Sequence, residues 1–405
     1  MLFASQTGYT FCSQVQQGDN LSKSNRERLV PLAELFVCPM RTPADTSEIE
    51  RLFTEKKVDP HTVVAVVGKS EGSGLPNDYG RLLADLEIRR LLAKLRGQTP
   101  EAVAEEVTMA MSGGAPGTVA PHATVLTQRW VDARTHEGLS NFGPGLVLGR
   151  SHTTNILPQH VGRVAQVDAT VDAVRRALDD AGVTELSQVH MVIVKGPALS
   201  AESITNLIKS GIEPVTKDPG IGPMGSMCYS NDAMALGVGV AMGEIDRGAI
   251  SDQVIRHDWN LYSNVAATSS GGEKQKGEVL VLANRPDSLS QLRAGHGITT
   301  ALGQSDGIKN ALRSAGLEFD CCPSDEQKSR IAQVFGKFTL PGSPELGGAR
   351  VTLLDDHEAH HVAKAVGGAV VTSVTGLTMA FISGGEANSH MGPPNGNPIC
   401  AIVHK

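Results

Sequence analysis

The chain has 405 residues, 40% of them apolar and 20% charged, with a formal net charge of −7. That length exceeds the needs of one ordinary domain and allows a sizeable buried core. The negative balance lacks the basic footprint that nucleic-acid binding requires, and no apolar run of about 18 residues is available to cross a membrane. The first thirty residues are polar, without an apolar h-region, and read as an N-terminal extension rather than a secretory signal. Six cysteines (Cys12, Cys38, Cys228, Cys321, Cys322, Cys400) have no framework spacing and read as reduced thiols of a cytoplasmic protein.

In the first unit, taken as 31–140, Leu32–Val37 reads as a strand and Ala44–Lys57 as a helix. The β-branched run Val63–Val67 is a buried strand that leads to Lys69. Apolar spacing of three and four makes Arg81–Leu95 a helix. A strand over 105–111 then delivers Ser112, and Thr124–Val131 is a further strand.

The second unit, 141–285, repeats the logic. Ala169–Ala181 is a helix closed by a C′ glycine at Gly182. Val189–Val194 is a strand that ends at Lys195, Ala233–Met242 a helix, and Val279–Leu282 a strand. In the third unit, 286–405, Asp306–Ala315 is a helix closed by Gly316 and Ile331–Phe335 a strand ending near Lys337. His360–Thr372 is a helix, Thr378–Ile382 delivers Ser383, and Ile399–Val403 closes the unit. Proline and glycine clusters at 138–150 and 284–297 mark the boundaries.

Three phrases punctuate these units: Ser112-Gly113-Gly114, Ser270-Gly271-Gly272 and Ser383-Gly384-Gly385. Each follows a strand-end lysine, at separations of 43, 75 and 46 residues, so the middle unit carries an insertion within 210–260. The repeat predicts an α+β fold of three similar sheet-plus-helix units around a pseudo-threefold axis, with the active site at their shared centre. A serine hydroxyl attacks a carbonyl only when a base accepts its proton, and lysine serves when burial and neighbouring ammonium groups lower its pKa. Backbone N–H groups beside the glycines can hold a developing oxyanion. Arg81 and Arg350 are further candidates for carbonyl oxygens or ring anions.

Two other motifs compete. Gly68-Lys69-Ser70 imitates the end of a P-loop, but Val63 stands where that loop needs glycine. His357-Glu358-Ala359-His360-His361 spells H-E-x-x-H, the pattern of a zinc hydrolase built on His357 and His361. It lacks a persuasive third ligand, and the two histidines read as exposed helix residues.

The chain resembles the ring-opening amidohydrolases, the family of cyanuric acid amidohydrolase and barbiturase. The resemblance rests on Met40-Arg41-Thr42-Pro43-Ala44-Asp45, Gly68-Lys69-Ser70-Glu71-Gly72-Ser73-Gly74, Asn77-Asp78-Tyr79-Gly80-Arg81 and Met111-Ser112-Gly113-Gly114. It continues through Val194-Lys195, Ser226-Met227-Cys228-Tyr229-Ser230, Ala267-Thr268-Ser269-Ser270, Ile382-Ser383-Gly384-Gly385 and Gly392-Pro393-Pro394, covering roughly 35 to 405.

It implies three Ser–Lys pairs gripping a small cyclic imide, with Lys195 as base and Ser270 as nucleophile, Ser269 being the neighbouring alternative. Lys69, Arg81, Ser112, Gly113, Asn231, Gly271, Lys337, Arg350, Ser383 and Gly384 would bind substrate. A threefold cradle suits cyanuric acid, opened to carboxybiuret and then biuret and carbon dioxide; barbiturate or a related ureide is the alternative, and a non-catalytic metabolite-binding homologue another. The resemblance also implies a homotetramer.

Departures are specific. Ala115-Pro116 replace Thr-Glu after the first Ser-Gly-Gly, and Asn231 stands where an arginine is expected. Thr339 replaces a glutamate linked to a structural metal, and Met391 a glutamine. No cofactor is required by this chemistry, and these changes count against a structural divalent cation.

Overall fold

The computed structural model describes residues 29–134 and 143–405. The extension expected over 1–30 lies outside the described residues except for its last two, as do Cys12 and part of the 138–150 boundary.

Twelve strands build three four-stranded sheets. The first contains β1 (Leu29–Pro39), β2 (Val63–Ser70), β3 (Thr108–Gly113) and β4 (His122–Asp132), in the order β1-β4-β2-β3. The second contains β5 (Gly145–His152), β6 (Val189–Pro197), β7 (Ala266–Gly271) and β8 (Glu278–Arg285), in the order β5-β8-β6-β7. The third opens with β9 (Leu292–Thr299) and β10 (Ile331–Leu340). A short hairpin of β11 (Glu345–Leu346) and β12 (Ala349–Arg350) follows, then β13 (Phe381–Ala387) and β14 (Asn397–His404) complete the order β9-β14-β10-β13.

The topology is the same three times. The first strand runs antiparallel to the fourth, the fourth antiparallel to the second, and the second parallel to the third.

Parallel neighbours need a crossover, and helices supply it. Between β1 and β2 lies α1 (Ser47–Thr54); between β2 and β3 lie α2 (Tyr79–Arg96) and α3 (Pro100–Glu106). The middle unit uses α4 (Val164–Ala181), then α5 (Ala201–Lys209) and α6 (Ser226–Ala241). The last uses α7 (Asp306–Ser314) and α8 (Asp325–Ser329), then α9 (Ala359–Thr375). Asp78 caps α2 by accepting the N–H groups of Gly80 and Arg81, and Gly182 closes α4 in the left-handed region, as a C′ glycine should.

The core has two levels. One face of every sheet contributes to a shared centre that includes Val67 and Leu126, Leu148 and Ile193, and Phe335 and Ile402. The other face of each sheet is covered by its own helices in three separate clusters.

Most elements fall where the apolar spacing puts them, with shifted ends. The expected strand over 105–111 divides into α3, which stops at Glu106, and β3, which starts at Thr108. The third serine strand starts at Phe381 rather than Thr378, and α6 starts at Ser226 rather than Ala233. The two glycine-rich boundaries contain strands, β5 and β9. Their glycines mark close packing rather than turns: a Cβ at Gly149 would lie 2.0 Å from Ala177 O of α4, and one at Gly295 would lie 2.1 Å from Ala315 N, beyond α7. Gly149→Ala is therefore expected to cost about 2 kcal/mol or more through backbone displacement, measured as a lowered denaturant midpoint with an unchanged slope. An unaltered midpoint would show that α4 does not press on β5.

Candidate active site

Parallel pairing sets residues side by side on one face of a sheet. Lys69 stands beside Ser112, and Lys337 beside Ser383. In the middle unit Lys195 stands beside Ser269, while Ser270 pairs with Gly196. This corrects the positional argument for Ser270 by one residue. Alternation along β7 turns Ser270 to the opposite face, where its Oγ donates to Met227 O at 3.1 Å. The count from Gly-Gly misleads because register follows the backbone ladder and the buried run before the serines.

All three lysines are buried, at 0 to 2% exposure. Lys69 Nζ donates to Ser112 Oγ at 3.2 Å and Gly113 O at 3.0 Å. Lys195 Nζ donates to Ser270 O at 3.2 Å and faces Glu273 Oε1 at 3.4 Å. Lys337 Nζ donates across units to Thr268 O at 2.8 Å and pairs with Glu386 Oε1 at 2.9 Å. Each lysine strand abuts the serine strand of another unit, β2 with β13, β6 with β3 and β10 with β7. The three pairs therefore share one centre.

Burial and crowding of like charge act on these amines. Burial, then Lys364, Lys337 and Lys195, push the Lys69 amine well below the usual lysine range against the pull of Asp78. Burial lowers Lys195 to about 8, helped by Arg81 and Lys274 and opposed by Glu273. Burial alone would raise the Glu273 carboxyl, but Lys195 and Arg81 hold it down to about 2.

Around the lysines lies a second ring. Buried Arg81 forks onto Glu273, with Nε on Oε1 at 2.9 Å and Nη2 on Oε2 at 3.1 Å. Buried Asn231 of α6 donates Nδ2 to Glu386 Oε1 at 2.9 Å and leaves Oδ1 without a partner among the described residues. Arg350, expected here, is on the exposed β12 hairpin and pairs with Asp355 at 3.2 Å. The hairpin turns on Gly347-Gly348 and carries its arginine away from the sheet.

The third place belongs to Lys364. Helices α2, α6 and α9 each lie before the serine strand of their unit, and Arg81, Asn231 and Lys364 occupy their first two turns. Burial first, then Lys337, lower the Lys364 amine to about 8. The sequence reading missed it, although a single lysine within Ala363-Lys364-Ala365-Val366 was a signal. It also missed Glu273 and Glu386, which both follow Gly-Gly directly. Gly113 and Gly271 lie against carboxylates, where a Cβ would meet Asp78 and Glu273 respectively, and Gly384 lies against Phe338 O.

A structural divalent cation does not fit the residues that would hold it. Thr339 gives its N–H and Oγ1 to Asn397 Oδ1 at 2.6 and 3.3 Å. Met391 presents a thioether to the N–H and Oγ1 of Thr268, both at 3.2 Å, a soft donor unsuited to hard cations. The loop carbonyls already face a cation of the chain itself. Arg256 donates to Ala387 O at 2.9 Å and Asn388 O at 3.1 Å, balanced by Asp232 at 2.6 Å.

The zinc reading also fails geometrically, since His357 and Glu358 precede α9. Glu358, His360 and His361 do bring ligand atoms within 4.8 Å of one another. The Nε2 atoms of both histidines, however, face Ser73 O at 3.3 and 2.7 Å, and His361 Nδ1 faces Glu358 at 2.9 Å. Both ring nitrogens of His361 and Nε2 of His360 thus already face protein acceptors.

Three sheets of one topology bring serines and buried lysines to a shared centre, and the comparisons say which proteins share this arrangement. The model for the amidohydrolase ring-opening protein (Amido_AtzD_TrzD) matches residues 34–404. The chain belongs to this ring-opening amidohydrolase family. A cyclic amide hydrolase of Pseudofrankia inefficax is 56% identical, with 95% of this chain and 98% of that protein covered. A cyanuric acid amidohydrolase of Enterobacter cloacae is 35% identical over 92% of this chain and 99% of its own, and barbiturase 1 of a Nocardioides species 33% over 91% and 98%. A solved cyanuric acid hydrolase, described as arising by structural concatenation, superposes with a TM-score of 0.86 at 33% identity, covering 93% of this chain and all of its own.

Arg256→Met removes one partner of a buried pair and is expected to cost about 3–5 kcal/mol, read as a lowered thermal midpoint. Dialysis against a chelator should leave the midpoint unchanged. A chelator-induced drop restored by calcium would reverse the assignment of Arg256 as the loop's cation.

Proposed function

We propose that this amidohydrolase opens a planar cyclic imide or ureide with Ser269 as nucleophile and Lys195 as its base. The pairing of Lys195 with Ser269 across β6 and β7 carries the reading. The neutral Lys195 amine takes the Ser269 proton as the oxygen attacks a ring carbonyl. The ring C–N bond then breaks, and the leaving nitrogen takes its proton from the Lys195 ammonium. Water cleaves the acyl-enzyme, releasing an open-chain carboxylate and restoring Ser269. The Ser112-Gly113 and Ser383-Gly384 segments hold the remaining carbonyl oxygens through their N–H groups.

Three retained Ser–Lys pairs favour a ring with three carbonyls. Cyanuric acid is one such ring and would give carboxybiuret, which loses carbon dioxide; barbiturate is another and would give ureidomalonate. The second ring is itself unsymmetric, a guanidinium, a carboxamide and an ammonium at equivalent helix positions, and this asymmetry suits the less symmetric choice. An arginine at position 231 could only donate, whereas Asn231 offers Oδ1 as an acceptor for a ring N–H. Family resemblance supports a homotetramer, and the scattered thiols support a cytoplasmic setting.

Ser269→Ala is expected to reduce ring opening at least about a thousandfold, while Ser270→Ala, which keeps the backbone and loses one hydrogen bond, should stay within about tenfold. The reverse order would return the nucleophile to Ser270. Because Lys195 must be neutral to accept a proton, kcat/KM should rise with pH and bend near 8, where the amine loses its charge. A profile flat from pH 6 to 8 would remove Lys195 from the role of base.

A further inference from the structure

The cations around this cavity are balanced unevenly. Lys195 and Arg81 share Glu273 at 3.4 and 2.9 Å, and Lys337 has Glu386 at 2.9 Å. Among the described residues the sector facing Ser112 has no such partner, and Lys69 meets only the neutral oxygens of Ser112 and Gly113. Lys364, 2% exposed, makes no hydrogen bond or ion pair among the described residues. The carboxylates whose field reaches it are engaged elsewhere: Asp78 with the N–H groups of Gly74 and Gly80, Glu386 with Lys337 and Asn231.

The gap has a cause in the repeat. Gly271-Gly272 and Gly384-Gly385 are each followed by a glutamate, whereas Gly113-Gly114 is followed by Ala115-Pro116. Backbone also closes in on the amine. An added Cβ at Gly74 or Gly114 would lie 2.8 Å from Lys364 Nζ, and both positions are glycines, which supply no charge. A buried ammonium without a counter-charge is costly, and this one adjoins a second buried amine, whose largest like-charge neighbour it is.

We propose that Lys364 and Lys69 receive an anionic oxygen of the substrate, so that the ring opened here carries negative charge on the edge facing Ser112. The inference rests on the ring-opening reading of the same cavity and narrows its substrate to cyclic imides or ureides ionised at neutral pH. The charge is either a ring enolate, as in barbiturate, or an exocyclic carboxylate. The attacked carbonyl faces Ser269, so the anion stays away from the nucleophile and its developing charge. A neutral ring would leave Lys364 unmatched, which is how a buried polar group discriminates between isosteres.

Binding can be tested apart from turnover in the Ser269→Ala protein, by calorimetric titration at pH 7 with barbiturate, orotate and uracil. The expected result is that at least one anionic ring binds about 30-fold or more tightly than uracil. Adding Lys364→Met should abolish that preference, and adding Lys364→Arg should restore most of it. A preference that survives Lys364→Met, or no preference at all, overturns the proposal. The tighter of barbiturate and orotate identifies enolate or carboxylate. Circular dichroism checks folding, and Lys364→Gln decides in the same titration if the methionine variant is unfolded. Wild-type protein that opens neither these rings nor cyanuric acid yet keeps the anion preference would sink the ring-opening reading and leave the anion site standing.

Discussion

Burying polar and charged side chains is costly unless they find partners, and around this centre several of those partners come from a neighbouring unit. Lys337 reaches Thr268 O, and across the same kind of boundary Arg81 reaches Glu273 and Asn231 reaches Glu386. Pulling the units apart would strand these groups, at a cost of several kcal/mol per uncompensated ion. A second buried network reinforces the seam between the first two units. Arg89 of α2 and Lys274 both hold Glu278, whose Oε2 also takes the Met109 N–H at 2.7 Å. Assembly of the cavity and cohesion of the fold are thus one requirement, and neither is satisfied by a single unit.

The same position in three equivalent sheets yields three different amines, because the surroundings differ. Glu273 limits how far burial can lower Lys195, leaving it near 8, where it can accept and return a proton around neutrality. Lys69 has no carboxylate at ion-pair distance among the described residues, and burial with its ammonium neighbours pushes it well below the usual lysine range. Lys337 lies directly on Glu386. A perfect threefold would make these groups interchangeable and give no reason for one serine to react. The differences among the neighbours, set by the residues that follow each Gly-Gly, break that degeneracy.

Much of this was legible in the sequence because it is periodic. The β-branched runs before Lys69 and Lys195, the helix-closing Gly182 and the threefold Ser-Gly-Gly gave the elements and their repetition. Register was not legible, since Ser269 and Ser270 differ only in which backbone pair each joins, and that is decided by the ladder with β6. Strands β5 and β9 were hidden because glycine speaks for turns in one dimension and for close helix packing in three. Arg350 and Lys364 show the same limit for charge. A lysine inside an apolar helix is the better candidate for a buried site than an arginine beside Gly-Gly, yet only the fold shows that α9 stands where α2 and α6 stand.

The three ring positions are buried, yet they face the shared centre and belong to none of the apolar clusters that the helices cover. Arg81, Asn231 and Lys364 sit in the first turns of their helices, above rather than within the apolar clusters beneath. Ala115 follows Gly114, just beyond the end of β3 at Gly113. These sites differ in hydrogen-bond polarity and charge although the three sheets share one topology. Symmetric backbone therefore coexists with an asymmetric set of recognising groups: a guanidinium clamped by its carboxylate, a carboxamide with an open acceptor, and an ammonium with no counter-charge. On the proposed reading, substrate choice is set by those three side chains and the residues after each Gly-Gly, which the sheets hold at one centre.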